Sequence, residues 1–391
     1  MKNLWDDKKA KEFKDELGLR VYTSNLLGES DELVLHGGGN TSVKLQKDGE
    51  DILYVKGSGW DLVSIQKEGF APVKLDALIE MSKMQSLSDS DMVRLQREAM
   101  IDSSAPNPSV EAILHAIIPS KFVDHTHADA VVTISNSKDG SKLIKELYPN
   151  HLIVPYVMPG FILAKTIKEM TKDFNWDRCE GIILEHHGIF TFSDNAKESY
   201  EKMIEQVSLA EEFLDKNAPL SIEARTPRDF DTDRLKSAIE KAKGHEVTMK
   251  TNTSPEALEY ASRENIKEFC TQGILTPEHI IRTKREPLVL EGDEIEEALS
   301  EYIDRYKEYF KTYSKDEIML NPAPNYAVIK DFGVVSFGKN QKEADIINDI
   351  VSHTMLALLR AEKLGGYKSI SLKDCFDMEY WELEQAKLKK N

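Results

Sequence analysis

The feature that most constrains this chain is Asp124-His125-Thr126-His127, an imidazole pair spaced for a β-strand. Side chains alternate faces along a strand, so His125 and His127 project the same way. Two imidazoles so placed can grip one divalent ion. A catalytic site adds about one more protein ligand and leaves a position open. His187 is the natural third ligand, because Glu185-His186-His187-Gly188 reads as a tight turn between two short apolar strands. A fold that satisfies this pattern must bring the end of one strand against a distant turn. A His-x-His pair also occurs on wet strands that bind nothing, so its neighbours have to be weighed with it.

Pro108-Ser109-Val110-Glu111-Ala112-Ile113-Leu114-His115 opens a short helix that Pro119 closes. Glu111 falls in its first turn, with His115 one turn later on the same face. A carboxylate beside a metal can move a substrate proton, whereas a first-turn acid can also simply favour the helix dipole. His115 reads as a structural histidine outside the metal set. Two glycine loops, 37–42 and Gly57-Ser58-Gly59, offer backbone N–H groups and small hydroxyls suited to phosphate. Hairpin turns use glycine as well. Neither loop has the P-loop spacing, and no GxGxxG follows a strand.

Around these motifs strands and helices interleave irregularly. Helices are predicted over 8–27, 128–135, 161–172 and 196–214, with strands over 51–56, 122–127 and 152–158 and two more within 180–192. The pattern predicts an α/β protein with a mixed, largely antiparallel central sheet flanked by helices. The polar stretch from Pro219 to Thr253 reads as a linker with one surface helix at 232–243. The expected division is a first domain at 1–220, a linker at 221–250 and a second α/β domain at 251–391. An internal echo links Ile183–Phe192 to Val328–Phe337, each followed by a long helix. It reads either as a degenerate duplication or as the likeness that any strand-turn-strand-helix units share. At the same offset Cys270, Gln272 and Phe332 stand for His125, His127 and His187, so a second copy would lack the metal site. His279, Arg282 and Lys284 form a small basic cluster, either a phosphate contact or a solvated face.

With 51 basic and 68 acidic residues the chain carries a formal charge of −17. That argues against wrapping on nucleic acid but leaves room for a local pocket that takes one anionic metabolite. Three dispersed cysteines make no disulfide framework and fit a reducing compartment. No apolar run is long enough to span a bilayer, and the first residues carry no signal-peptide core. No membrane partner is expected, and the expected setting is cytoplasmic.

Taken in order, Gly39-Asn40-Thr41-Ser42, Gly57-Ser58-Gly59, Ser109-x-Glu111, His125-x-His127 and His187-Gly188 resemble the class II aldolase/adducin family, over about residues 12–214. The resemblance implies a class II aldolase-like α/β/α fold followed by a second, degenerate aldolase-like domain. It implies that His125, His127 and His187 hold zinc, or another divalent ion such as manganese or cobalt. It makes Glu111 the acid/base and places Asn40, Ser58, Gly59 and Ser109 around a phosphate. The implied activity is a lyase reaction, the reversible retro-aldol cleavage of a 2-ketose 1-phosphate of the rhamnulose 1-phosphate kind. Its products would be dihydroxyacetone phosphate and an aldehyde such as lactaldehyde. The family also implies a homo-oligomer and a tyrosine from a neighbouring subunit, to which none of the 13 tyrosines can be assigned. A pentulose-phosphate 4-epimerase or a sugar-phosphate dehydratase would use the same site. A non-catalytic adducin-like module would be expected to lack the histidines. Segments 276–284 and 364–367 are similar to two-part proteins that join rhamnulose-1-phosphate aldolase to lactaldehyde dehydrogenase, and the dehydrogenase part is expected to be absent. Two departures stand out, His186 where the family often has asparagine and Val110 where many relatives have serine.

Overall fold

The computed structural model describes residues 1–383 and 385. After the helix Glu16–Gly28, strands β1 (Asn40–Lys47) and β2 (Glu50–Lys56) form a hairpin. Its turn is Asp48-Gly49, both at positive φ, the two-residue geometry whose twist matches that of paired strands. Strands β3 (Phe70–Lys74), β4 (Phe122–Thr126), β5 (His151–Val154), β6 (Gly181–Leu184) and β7 (Gly188–Ser193) complete a seven-stranded sheet in the order β3-β2-β1-β4-β7-β6-β5. Only β5 and β6 run parallel. The sheet is thus mixed and largely antiparallel. Strands β4, β6 and β7 are buried along their whole length, and strands covered on both faces read as continuous apolar runs.

Strand β4 is not wholly apolar, and its period of two sorts the exceptions. Asp124 turns to the face opposite His125 and pairs with Arg20 at 2.5 Å, with both side chains fully buried. Ser199 also donates to Asp124, and Arg20 further donates to Thr23. Losing one partner of such a pair leaves an uncompensated buried charge.

The described residues divide into two units, Met1–Ser135 with Gly140–Phe213, and Asn136–Asp139 with 214–383 and 385. In the second unit β8 (Thr248–Asn252), β9 (Leu288–Leu290), β10 (Tyr326–Ile329) and β11 (Gly333–Gly338) form a sheet ordered β8-β11-β10-β9. Its pairings are antiparallel, antiparallel and parallel. The run β4-β7-β6-β5 has the same order and the same directions. Both hairpins enclose a three-residue turn that closes on glycine, Leu184 opposite Gly188 and Ile329 opposite Gly333. Long helices follow, Ala196–Asn217 and Gln341–Lys363. The second sheet therefore repeats the topology of four strands of the first.

That register corrects two residue matches, Cys270 for His125 and Gln272 for His127. Thr126 lies opposite Ile189, and Asn252 lies opposite Val334. The positions equivalent to His125 and His127 are therefore Thr251 and Thr253, while Cys270 ends the helix Ile266–Cys270. A constant sequence offset fails here because the segments between the outer strand and the hairpin differ in length. Within the stretch expected to be a linker, Thr232–Lys243 is a helix. Its Leu235 and Ile239 are fully buried with Leu288, Ile295, Ala327 and Phe337 in the core of the second unit. All three cysteines are free and buried. Among the described residues no helix is long and apolar enough to cross a membrane.

Candidate metal centre

His125 lies on β4, His127 just beyond its end, and His187 is the last residue of the turn between β6 and β7. Because Thr126 pairs with Ile189, the end of β4 abuts that turn. One ligand nitrogen from each ring lies within 4.8 Å of the others. His125 Nε2 and His127 Nε2 are 3.0 Å apart. The three ring centroids are separated by 4.8, 5.1 and 4.9 Å. His125 Nδ1 meets the Ile189 carbonyl at 3.1 Å. A carbonyl only accepts, so Nδ1 carries the proton and the Nε2 lone pair turns into the cluster.

Two glycines allow this approach. A Cβ on Gly188 would fall 2.2 Å from the Thr126 carbonyl oxygen and 3.2 Å from His125 Cε1. One on Gly38 would sit 2.9 Å from the Leu35 carbonyl oxygen and 3.2 Å from His127 Nδ1.

Glu111 reaches the cluster from the N-cap of the helix Ala112–Ile117. Its Oε2 is 3.5 Å from His125 Nε2 and its Oε1 is 3.9 Å from His187 Nε2. The residue is 4% exposed, and Oε1 has no hydrogen-bond partner among the described residues. A buried acceptor without a donor calls for a compensating group. Three converging imidazoles and a carboxylate form a nitrogen and oxygen donor set of the kind that holds a divalent ion. Imidazole nitrogens around tetrahedral zinc stand roughly 3.3 Å apart, close to the His125–His127 spacing. The residues present fit the group.

The four residues expected around a phosphate divide. Asn40 opens β1 opposite His125, and its Nδ2 donates to Glu111 Oε2 at 2.6 Å. Asn40 therefore stands in contact with the carboxylate. Backbone bonds draw the segments of Ser58 and Ser109 together, and Gly59 follows Ser58. Ser58 N donates to the Asn107 carbonyl at 2.8 Å and Ser109 N to the Lys56 carbonyl at 3.0 Å. Ser109 Oγ accepts from Glu111 N at 3.2 Å. Lys56 is a residue that the motifs do not single out. It ends β2 at 6% exposure and donates from Nζ to the Gly37 carbonyl at 3.2 Å, so a buried cation ties the two glycine loops together. Its signal in the sequence is a lysine that closes an apolar strand directly before Gly57-Ser58-Gly59. Of His279, Arg282 and Lys284, His279 and Lys284 are buried rather than on a solvated face, and Arg282 is half-buried. Lys284 is buried 3.8 Å from Glu379 and over the Tyr306 ring, and burial lowers its pKa to about 8.

His186 adopts the left-handed conformation, φ 63°, as does Asp331 at the matching place in the second hairpin, φ 57°. Asn, Asp and His tolerate that region better than other residues with a Cβ. The departure from asparagine therefore keeps the turn that aims His187. His186→Asn should leave stability and metal content unchanged. His186→Val should lower stability by about 1–2 kcal/mol, read from the denaturation midpoint.

The sequence matches the family described as "Class II Aldolase and Adducin N-terminal domain" over residues 20–214. It matches "Aldolase class II, second domain" over residues 230–388. A Bacillus subtilis (strain 168) protein named "Uncharacterized oxidoreductase YuxG" is 29% identical over 99% of this chain, and the chain spans 60% of that relative's length. The solved N-terminal class II aldolase domain of a conserved protein from Thermoplasma acidophilum is 39% identical, over 55% of this chain and 99% of its own, at a TM-score of 0.50. The L-fuculose-1-phosphate aldolase of Thermus thermophilus is 14% identical, over 51% of this chain and 92% of its own, at a TM-score of 0.33.

Proposed function

Because the chain belongs to the class II aldolase family, we propose that it is a lyase that reversibly cleaves a 2-ketose 1-phosphate to dihydroxyacetone phosphate and an aldehyde. Class II aldolases typically depend on a divalent metal, and His125, His127 and His187 would hold it here. The observation that carries this reading is the placement of Glu111, with one oxygen engaged by Asn40 and the other buried beside the His187 ring without a donor among the described residues.

A bound divalent ion would act as a Lewis acid toward the oxygens of the substrate's carbonyl and adjacent hydroxyl. As the hydroxyl on the departing carbon gives up its proton to solvent and becomes the aldehyde carbonyl, the carbon–carbon bond breaks and its electron pair stays on the carbon beside the ketone. Glu111 Oε1 would return a proton to that carbon and would remove it in the synthetic direction. Lys56, Ser58, Gly59 and Ser109 would take the phosphate, with Lys56 supplying the charge and the loops supplying N–H and O–H donors.

Assay of a panel of ketose phosphates tests the reading. Release of dihydroxyacetone phosphate from rhamnulose 1-phosphate or a close relative, lost with a chelator and restored by zinc, supports it. Conversion of ribulose 5-phosphate to its 4-epimer without cleavage would replace it with an epimerase on the same site. Lys56→Met should raise KM for the phosphorylated substrate about 10–100-fold, the effect of losing a charged hydrogen bond. Turnover should change much less, and steady-state kinetics separate the two.

A further inference from the structure

Asn40 belongs to a buried chain of side chains that leads away from the metal cluster. His115 is fully buried one helical turn beyond Glu111, edge-on to the Phe190 ring. Its Nε2 hydrogen-bonds to Asn40 Oδ1, and its Nδ1 lies 2.8 Å from Ser42 Oγ. Asn40 and Ser42 share one face of β1, while Thr41 turns to the other face and meets Ser24.

Donor chemistry gives this chain one direction. An ionised carboxylate only accepts, so Asn40 must point Nδ2 at Glu111 and Oδ1 at His115. An amide oxygen only accepts, so His115 carries its proton on Nε2. Burial holds the ring well below the ordinary histidine range, hence neutral, and Nδ1 is left to accept from Ser42. Protons therefore point from Ser42 through His115 and Asn40 to Glu111 Oε2. Each link blocks the amide flip or ring flip that would disorganise the next. The far oxygen, Oε1, lies 3.9 Å from His187 Nε2 and has no hydrogen-bond partner among the described residues.

We propose that Ser42 and His115 are positioning residues that act through Asn40 to hold the Glu111 carboxylate with one oxygen engaged and the other presented to the substrate. This rests on the reading of Glu111 as the acid/base. Neither residue touches the substrate, so their loss should appear in turnover rather than in binding.

The test compares His115→Leu with His115→Gln, by kinetics, metal analysis and crystal structures. Leucine fills the cavity against Phe190 without a donor, whereas the glutamine amide restores a donor near the Nε2 position. His115→Leu should cut kcat about 10–100-fold, the usual cost of an outer hydrogen bond that orients a site. KM and metal content should hold within about twofold, and the Glu111 carboxylate should leave the orientation seen here. His115→Gln should recover most of kcat and the orientation. Equal kcat and the same Glu111 orientation in both variants would overturn the proposal. If the unmodified protein cleaves no ketose phosphate, the aldolase reading fails, and the crystal structures still decide whether His115 sets Glu111.

Discussion

Glu111→Gln should keep its metal and lose about 10²–10⁴-fold in kcat, the range that a positioned acid or base contributes. The substitution keeps the shape of the side chain and an oxygen able to accept from Asn40. It removes the ability to carry the proton. One ligand nitrogen of each of the three imidazoles lies within 4.8 Å of the others without any help from Glu111, so the ion should remain. Metal analysis of the purified variant beside its turnover gives the result. A variant that retains turnover would remove Glu111 from the mechanism. One that loses both metal and turnover would make it a ligand.

The second large effect is expected of His127→Ala. Removing one of three protein ligands should lower the bound ion from about one per chain to below about a tenth, and activity with it. His127 is the informative choice because it is half-buried and lies beyond the end of β4. His125, by contrast, is fully buried and stacks on Phe190 with centroids 4.1 Å apart, so its truncation would leave a cavity as well. The metal-free form of His127→Ala should therefore unfold near the same temperature as the metal-free parent. Added zinc should raise the midpoint of the parent alone, since a ligand stabilises only the folded state that binds it.

The centre is legible in the sequence where a local period governs it. The spacing of two puts His125 and His127 on one face, and the turn before Gly188 marks His187. The mixed sheet follows from short apolar strands between helices of uneven length. What stays hidden depends on long-range strand order. Asn40 lies opposite His125 because β1 is inserted beside β4. Nothing in the local sequence of Gly39-Asn40-Thr41-Ser42 says that its amide will meet Glu111. His115 reads as an isolated core histidine for the same reason, since its partners sit on another strand. Lys56 is easily passed over because a lysine ending a strand is usually solvated, and only the packing of the two glycine loops buries it. The internal repeat is legible at the hairpin, where the turn fixes the spacing. It fails upstream, where helices of different length separate the paired strands.

The central claim is that three histidines, far apart in the chain, close on one divalent ion beside Glu111. Anomalous diffraction at the zinc edge from crystals of the zinc-loaded protein tests it most directly. The account predicts a single strong peak bonded to Nε2 of His125, His127 and His187 at about 2.0–2.1 Å. A peak held by other residues, or no peak while the three rings keep the positions described, would contradict it.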